Sequence, residues 1–290
     1  MTRRSSCAAL IMGAQLLVSC SSDSGSAPAV TGQQATTVAV SAATTIQPTT
    51  SPSTTETTTT TGAIATTTTE PPPAITEERV IGQSVQGRDI TAYRIGDPKG
   101  RPVLLIGVIH GDEAKGYGIT QLIRTMSTPP GIDLWIIDSI NPDGQAADSR
   151  YNANGVDLNR NVSYNWTYIP KVGADGEYSG EAAADQPETQ ALESFVREIK
   201  PSITVFWHQD ADRVSPGGAN RDIPLRFAEL VGLSAASTPC TGGCTGTFTQ
   251  YINHTIKGGT AFIVELPGND EVTPAMVKLH AESILKVITL

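Results

Sequence analysis

Four histidines occur in the 290 residues, and two of them follow apolar runs. Val103–Ile109 leads directly into His110-Gly111-Asp112-Glu113, and Ile203–Trp207 leads into His208. An imidazole and a carboxylate three residues apart on a tight glycine turn can converge on one cation. Zinc accepts nitrogen and carboxylate oxygen alike, at about 2.0–2.2 Å. His-x-x-Glu alone is weak, and a histidine after an apolar strand is more often structural than a ligand. The combination is stronger: two histidines and one glutamate leave a fourth position open, the arrangement of a catalytic rather than a structural zinc site. His254 and His280 fall in a loop and a helix and read as ordinary side chains.

Further polar groups stand at or near strand ends. Ile263-Val264-Glu265-Leu266-Pro267 places a carboxylate inside an apolar strand, which is costly unless it has a partner. Glu265 is either an edge-strand side chain facing solvent or a general base beside a reactive water. Asn141-Pro142-Asp143-Gly144, Arg150 and Gly155-Val156-Asp157-Leu158-Asn159-Arg160-Asn161 follow the second apolar run. Arginine forks and asparagine amides suit a carboxylate ligand; as an isolated loop, the segment is equally compatible with plain solvation.

These residues need elements to hold them. Residues 80–95 alternate around Gln86-Gly87 as a hairpin does. Val103–Ile109, Ile132–Ile140, Ile203–Trp207 and Ala261–Leu266 are continuous apolar runs, expected for strands buried on both faces. Helical spacing predicts helices over roughly 115–127, 187–199 and 222–232. Another is expected after Thr273-Pro274, with Met276, Leu279, Ile284 and Val287 as its core residues. Helices between buried strands imply an α/β layered domain with a parallel or mixed sheet, and in such sheets functional groups gather at the carboxyl ends of strands.

The N-terminal part reads differently. No Phe, Tyr or Trp precedes Tyr93, no Lys or Arg lies between Arg4 and Arg79, and 18 of residues 31–70 are Thr. Such a stretch cannot bury enough apolar surface to offset chain ordering. Residues 1–20 carry Arg3-Arg4, an apolar run and Leu17-Val18-Ser19-Cys20, expected for an export signal. The last four residues resemble a bacterial lipobox, with Cys20 as the lipidated residue; the alternative is an ordinary signal with Cys20 incidental. Residues 21–77 are expected to be a Ser/Thr/Pro-rich spacer, and 78–290 the catalytic domain. The protein is thus expected to be exported, held to the membrane by lipid at Cys20 and facing the cell wall, as a monomer. Outside the reducing cytosol, Cys240 and Cys244 are expected to close a small disulfide loop. Formal charge is −9 overall, and residues 78–290 hold 18 basic against 25 acidic side chains, which argues against nucleic acid as a partner.

His110-Gly-Asp-Glu113, Asn141-Pro-Asp-Gly144, Gly155–Asn161, His208 and Glu265-Leu-Pro occur together in the order seen in the zinc carboxypeptidases of the carboxypeptidase A type, which this sequence resembles over about residues 80–290. The Asn-Gly-Val-Asp-Leu-Asn-Arg-Asn run and Glu-Leu-Pro-Gly are closer to the bacterial branch that includes the murein peptide amidases. The resemblance implies a three-layer α/β sandwich around a mixed, largely parallel eight-stranded sheet, with one Zn2+ per chain. It implies His110, Glu113 and His208 as zinc ligands, Asp157 as the carboxylate orienting His110, and Glu265 as general base. It also implies Arg150 as oxyanion donor and Asn159 with Arg160 as the grip on a substrate carboxylate. The family's mobile tyrosine has no clear equivalent, and Tyr251 is expected to be a packing residue. The substrate expected is a peptide or muropeptide: a peptidoglycan stem peptide first, an ordinary L-peptide second. A catalytically inactive wall- or peptide-binding module is the third reading, disfavoured by the full set of ligands, base and arginines.

Overall fold

The computed structural model describes residues 75–171, 176–237, 244–268 and 271–290. The signal, Cys20, the spacer as far as residue 74 and Cys240 lie outside the described residues. An initial hairpin, β1 (Glu77–Gln83) and β2 (Asp89–Gly96), is followed by β3 (Arg101–Ile106), α1 (Gly116–Ile123), β4 (Ile132–Ile137) and α2 (Pro142–Ala147). After a 3-10 turn at Leu158–Arg160 come α3 (Pro187–Ile199), β5 (Ile203–Gln209), β6 (Arg213–Ser215), α4 (Asp222–Val231) and β7 (Ser234–Ala235). The chain closes with α5 (Phe248–Thr255), β8 (Thr260–Leu266) and α6 (Pro274–Val287). The strands form one eight-stranded sheet in the order β1-β2-β4-β3-β5-β8-β6-β7. Its centre, β4-β3-β5-β8, is parallel, while β2/β4 and β6/β8 are antiparallel.

The continuous apolar runs follow from this geometry, because side chains alternate across a pleat and both faces are covered. In β3, Val103 and Leu105 pack with Ile119 of α1, Phe227 of α4 and Ile284 of α6. Leu104 and Ile106 point the other way, toward Leu192 and Phe195 of α3 and Phe248 and Ile252 of α5. The result is the expected three-layer sandwich with a mixed sheet. The ladder of β3 ends at Ile106, yet Val108 and Ile109 stay buried on the way to His110.

Four elements differ from the sequence reading. Leu279, expected in the core, is 41% exposed, and Met276 is only half-buried. The inward stripe of α6 is His280, Ala281, Ile284 and Val287, so Leu279 sits a helical step of about 100° out of phase. Helix α5 was hidden in a polar stretch. Thr247 starts it by accepting a hydrogen bond from the Gln250 N–H, and burial of Phe248, Tyr251 and Ile252 holds it. Strands β6 and β7 are too short to carry a periodicity; pairing with β8 and with each other is what makes them strands.

Candidate metal centre and cleft

Because β3, β5 and β8 are parallel neighbours, their carboxyl ends meet at one edge of the sheet, as open α/β sheets require of their functional sites. His208 and Glu265 are direct register partners across β5 and β8, so their side chains rise from the same face. That face is the one carrying Phe206 and Ile263, toward α3 and α5. Glu265 is therefore no edge-strand residue: it is 7% exposed, between β5 and β6, and lines the cleft.

The turn after β3 is shaped by contact with the next motif. A Cβ on Gly111 would come within 2.0 Å of the Gly144 carbonyl carbon, so two backbones pass where no side chain fits. Asn141 secures the crossing. Its Oδ1 accepts from the Gly144 N–H at 2.9 Å, and its Nδ2 donates to the Ile109 carbonyl at 3.1 Å and the Arg150 carbonyl at 3.4 Å. Asp143 ties the same turn to the first hairpin, accepting from Ser84 Oγ at 2.8 Å and the Gln86 N–H at 2.9 Å. Asn-Pro-Asp-Gly thus positions His110 and Arg150, a role the sequence reading left unassigned.

At the centre, ligand atoms of His110, Glu113 and His208 lie within 4.8 Å of one another. The two Nδ1 atoms face each other at 3.2 Å, and each is 2.9 Å from an oxygen of Glu113. His110 Nε2 lies 3.1 Å from Asp157 Oδ1. A proton held there leaves Nδ1 as a lone pair pointing at the centre. Burial opposes protonation of His110, but Glu113 and then Asp157 outweigh it, and the imidazole is held up at about 9 despite the nearby Arg150. Burial likewise pushes Glu113 up, while His110 and His208 hold it well below the usual carboxylate range. A buried spot that favours positive charge this strongly, ringed by two imidazole nitrogens and a carboxylate, fits a divalent cation of zinc's preferences.

Asp157 is the hub around this centre. Completely buried, it accepts from Arg150 Nε at 3.0 Å and Nη2 at 2.9 Å, and from the Asn159 N–H at 2.9 Å. Burial alone would raise its pKa, yet His110 and Arg150 hold the carboxyl well below the normal range. Arg150 also donates through Nη1 to Glu113 Oε1 at 2.9 Å. Asn159 and Arg160 follow on the 3-10 turn; both are buried and line the cleft, and Asn159 Oδ1 accepts from the Phe248 N–H at 3.1 Å. The structure thus gathers His110, Glu113, Arg150, Asn159, Arg160, His208 and Glu265 around one cleft of about 430 Å³, with Asp157 behind.

Two residues at this site had no sequence signal. Gln209 donates from its backbone N–H to Glu113 Oε2 at 3.1 Å and from Nε2 to the Pro267 carbonyl at 3.1 Å, joining the ends of β5 and β8. Glu177 lines the cleft and pairs with Arg160 at 2.6 Å. Tyr251 does not line the cleft: it is buried on α5, its hydroxyl accepting from Arg197 Nη1 at 2.8 Å. Cys244 is disulfide-bonded and lines the cleft, while its expected partner Cys240 lies outside the described residues.

Murein peptide amidase A of Escherichia coli strain K12 is 29% identical to the chain over 138 residues, 44% of this chain and 57% of its own length. The chain therefore spans little more than half of that curated relative. Among solved structures, murein-tripeptide amidase MpaA from Escherichia coli O157 superposes with a TM-score of 0.59 at 22% identity, covering 72% of this chain and 91% of its own. Carboxypeptidase A from Helicoverpa armigera gives 0.56 at 20% identity over 73% of this chain and 66% of its own. At these identities the two structures establish the shared fold. Residues 61–230, more than half of the chain, match the zinc carboxypeptidase family, and it is to this family that the chain belongs.

Proposed function

We propose that this protein is a zinc-dependent hydrolase that cleaves an amide bond next to a free carboxylate, in the stem peptides of peptidoglycan. The carrying observation is the convergence, in one cleft, of a His110–Glu113–His208 cation site with Glu265 and the buried pair Asn159 and Arg160. A zinc ion held by those three side chains would supply Lewis-acid polarisation of a carbonyl and acidify a water. The remaining work belongs to the chain's own groups. Glu265, nearly dry on β8, takes the proton from the attacking water and returns it to the leaving nitrogen. Arg150, fixed by Asp157 and Glu113, directs its guanidinium to the oxygen on which negative charge develops. Asn159 and Arg160 hold a carboxylate of the leaving fragment, which restricts attack to the neighbouring bond.

The substrate class rests on two supports. Relatives in the same family are named for murein peptides. The N-terminal sequence reads as an export signal with a lipid-accepting Cys20 and a Thr-rich spacer, which would hold the domain near the cell wall. Among the described residues no helix is long and apolar enough to cross a membrane. The test is product identification by mass spectrometry after incubation with muropeptides, with and without a chelator. Chelator-sensitive release of a carboxylate-bearing fragment supports the reading. Turnover confined to L-peptides would replace it with a general metallocarboxypeptidase. Absence of zinc and of any turnover would leave a binding module.

A further inference from the structure

The carboxylate grip is not a bare cation. Arg160 Nη2 donates to Glu177 Oε1 at 2.6 Å, its Nη1 donates to the Asn159 carbonyl at 2.8 Å, and its Nε is buried without a hydrogen-bond partner among the described residues. Glu177 is no stray surface acid. Its side chain is 23% exposed and lines the same cleft as Glu265 and the cation site. The segment that carries it is stitched to the turn that carries Asn159 and Arg160. Asp157 N–H donates to the Tyr178 carbonyl at 2.8 Å, and Asn161 Nδ2 donates to the Ser179 carbonyl at 2.9 Å. Trp166 Nε1 reaches the same Ser179 carbonyl at 3.1 Å.

A substrate carboxylate approaching Arg160 therefore meets a guanidinium whose charge is already compensated, with a second carboxylate beside it. Like charges at such separation repel, more so in a partly desolvated cleft. A leaving residue that brings an ammonium group as well as a carboxylate avoids this, since its carboxylate meets Arg160 while its ammonium meets Glu177. The scissile nitrogen is neutral as long as it is part of the amide. The ammonium must then come from a second amino group on the leaving residue.

We infer that Glu177 is a specificity residue: with Arg160 it forms a charge-paired clamp that selects leaving residues of the diamino acid class over neutral ones. This rests on the reading of the cleft given under Proposed function and narrows it.

The test compares kcat/KM on two matched pairs of peptides. One pair is γ-D-Glu-linked diaminopimelate and γ-D-Glu-linked 2-aminopimelate; the other is an L-peptide ending in Lys and the same peptide ending in norleucine. The parent protein should favour the ammonium-bearing member of a cleaved pair by about tenfold or more, the scale of a charge-assisted hydrogen bond. Glu177→Gln should bring the ratio to within about threefold, by losing rate on the ammonium substrate and gaining it on the neutral one. Glu177→Asp should keep part of the preference. A purely structural Glu177 would lower both members equally and leave the ratio intact, which overturns the inference, as does a parent protein with no preference. Cleavage of the L-pair alone would remove the peptidoglycan reading while still judging Glu177. Should neither pair be cleaved, calorimetric binding of the same peptides to the zinc-loaded protein gives the ratio, judged by the same criterion.

Discussion

Asp157→Asn removes one negative charge from behind the cation site while leaving the shape of the side chain almost unchanged. In the parent, one carboxylate serves His110 at 3.1 Å and Arg150 at 3.0 and 2.9 Å. An amide offers a single acceptor oxygen and turns an NH2 donor toward either an imidazole N–H or a guanidinium. One of the two partners must then lose its bond or rotate. Breaking a fully buried ion pair by removing one partner costs about 3–5 kcal/mol. Arg150 keeps Glu113 at 2.9 Å and is 27% exposed, so a lower cost of about 2–3 kcal/mol is expected here. For a domain of this size that corresponds to a fall in melting temperature of about 4–12 °C. If His110 rotates or loses basicity, zinc affinity should drop about 10- to 100-fold. Competition against a chromogenic zinc chelator measures the affinity, and scanning calorimetry with and without zinc measures the stability. The variant should bind zinc more weakly and gain less thermal protection from it. An Asp157→Asn protein with parental zinc affinity would refute the idea that this carboxylate orients His110.

Other perturbations test separate links. Glu265→Gln should keep zinc, since Glu265 is not among the three converging ligands, but lose about 10²- to 10⁴-fold in turnover; near-parental kcat would reject it as the base. His280 is buried on α6 beside Phe227, its Nδ1 has no hydrogen-bond partner among the described residues, and burial pushes its imidazole down to about 4. The unfolded chain therefore takes up a proton below about 6.5 that the native protein refuses, so this contribution is complete above that pH and is lost on acidification toward 4. Roughly 2 kcal/mol should disappear between pH 7 and pH 5. Urea titrations at both values should show a smaller acid loss in His280→Leu, and an identical loss in both proteins would remove His280 as the cause. On the proposed lipid anchor, Cys20→Ala should shift the protein from the membrane fraction to the soluble one, and a variant still wholly membrane-bound would argue against that anchor.

Much of the site could be read from residue order because its parts are local. The strands before His110 and His208, and the one holding Glu265, are continuous apolar runs, since burial on both faces removes any need for polar alternation. His110 and Glu113 sit three apart on a turn whose glycine is required by a backbone crossing. Residue type alone marked Asn159 and Arg160 as suited to a carboxylate, but their individual roles, and that of Asp157, were legible only through likeness to a family, because their spacing in the chain has no inherent chemical meaning. Glu177 and Gln209 were not legible at all. Each acts on a residue brought to it by folding, Glu177 on Arg160 across 17 residues and Gln209 on Glu113 across 96.

The amino-acid order was sufficient to specify an α/β domain, its six longer strands and most of the side chains with chemistry to offer, because hydrophobic periodicity and turn chemistry are short-range properties. It left open how those strands lie side by side. That β3 is flanked by β4 and β5, and that β5 and β8 align His208 with Glu265, follows from long-range pairing and from the fit of two helical layers on a twisted sheet. The same packing decided whether Glu265 faced solvent or the cleft, and whether Arg160 entered it as a free cation or already matched to an acid. Burial and electrostatic partnership depend on distances between segments remote in the chain, and those distances exist only once the chain has folded.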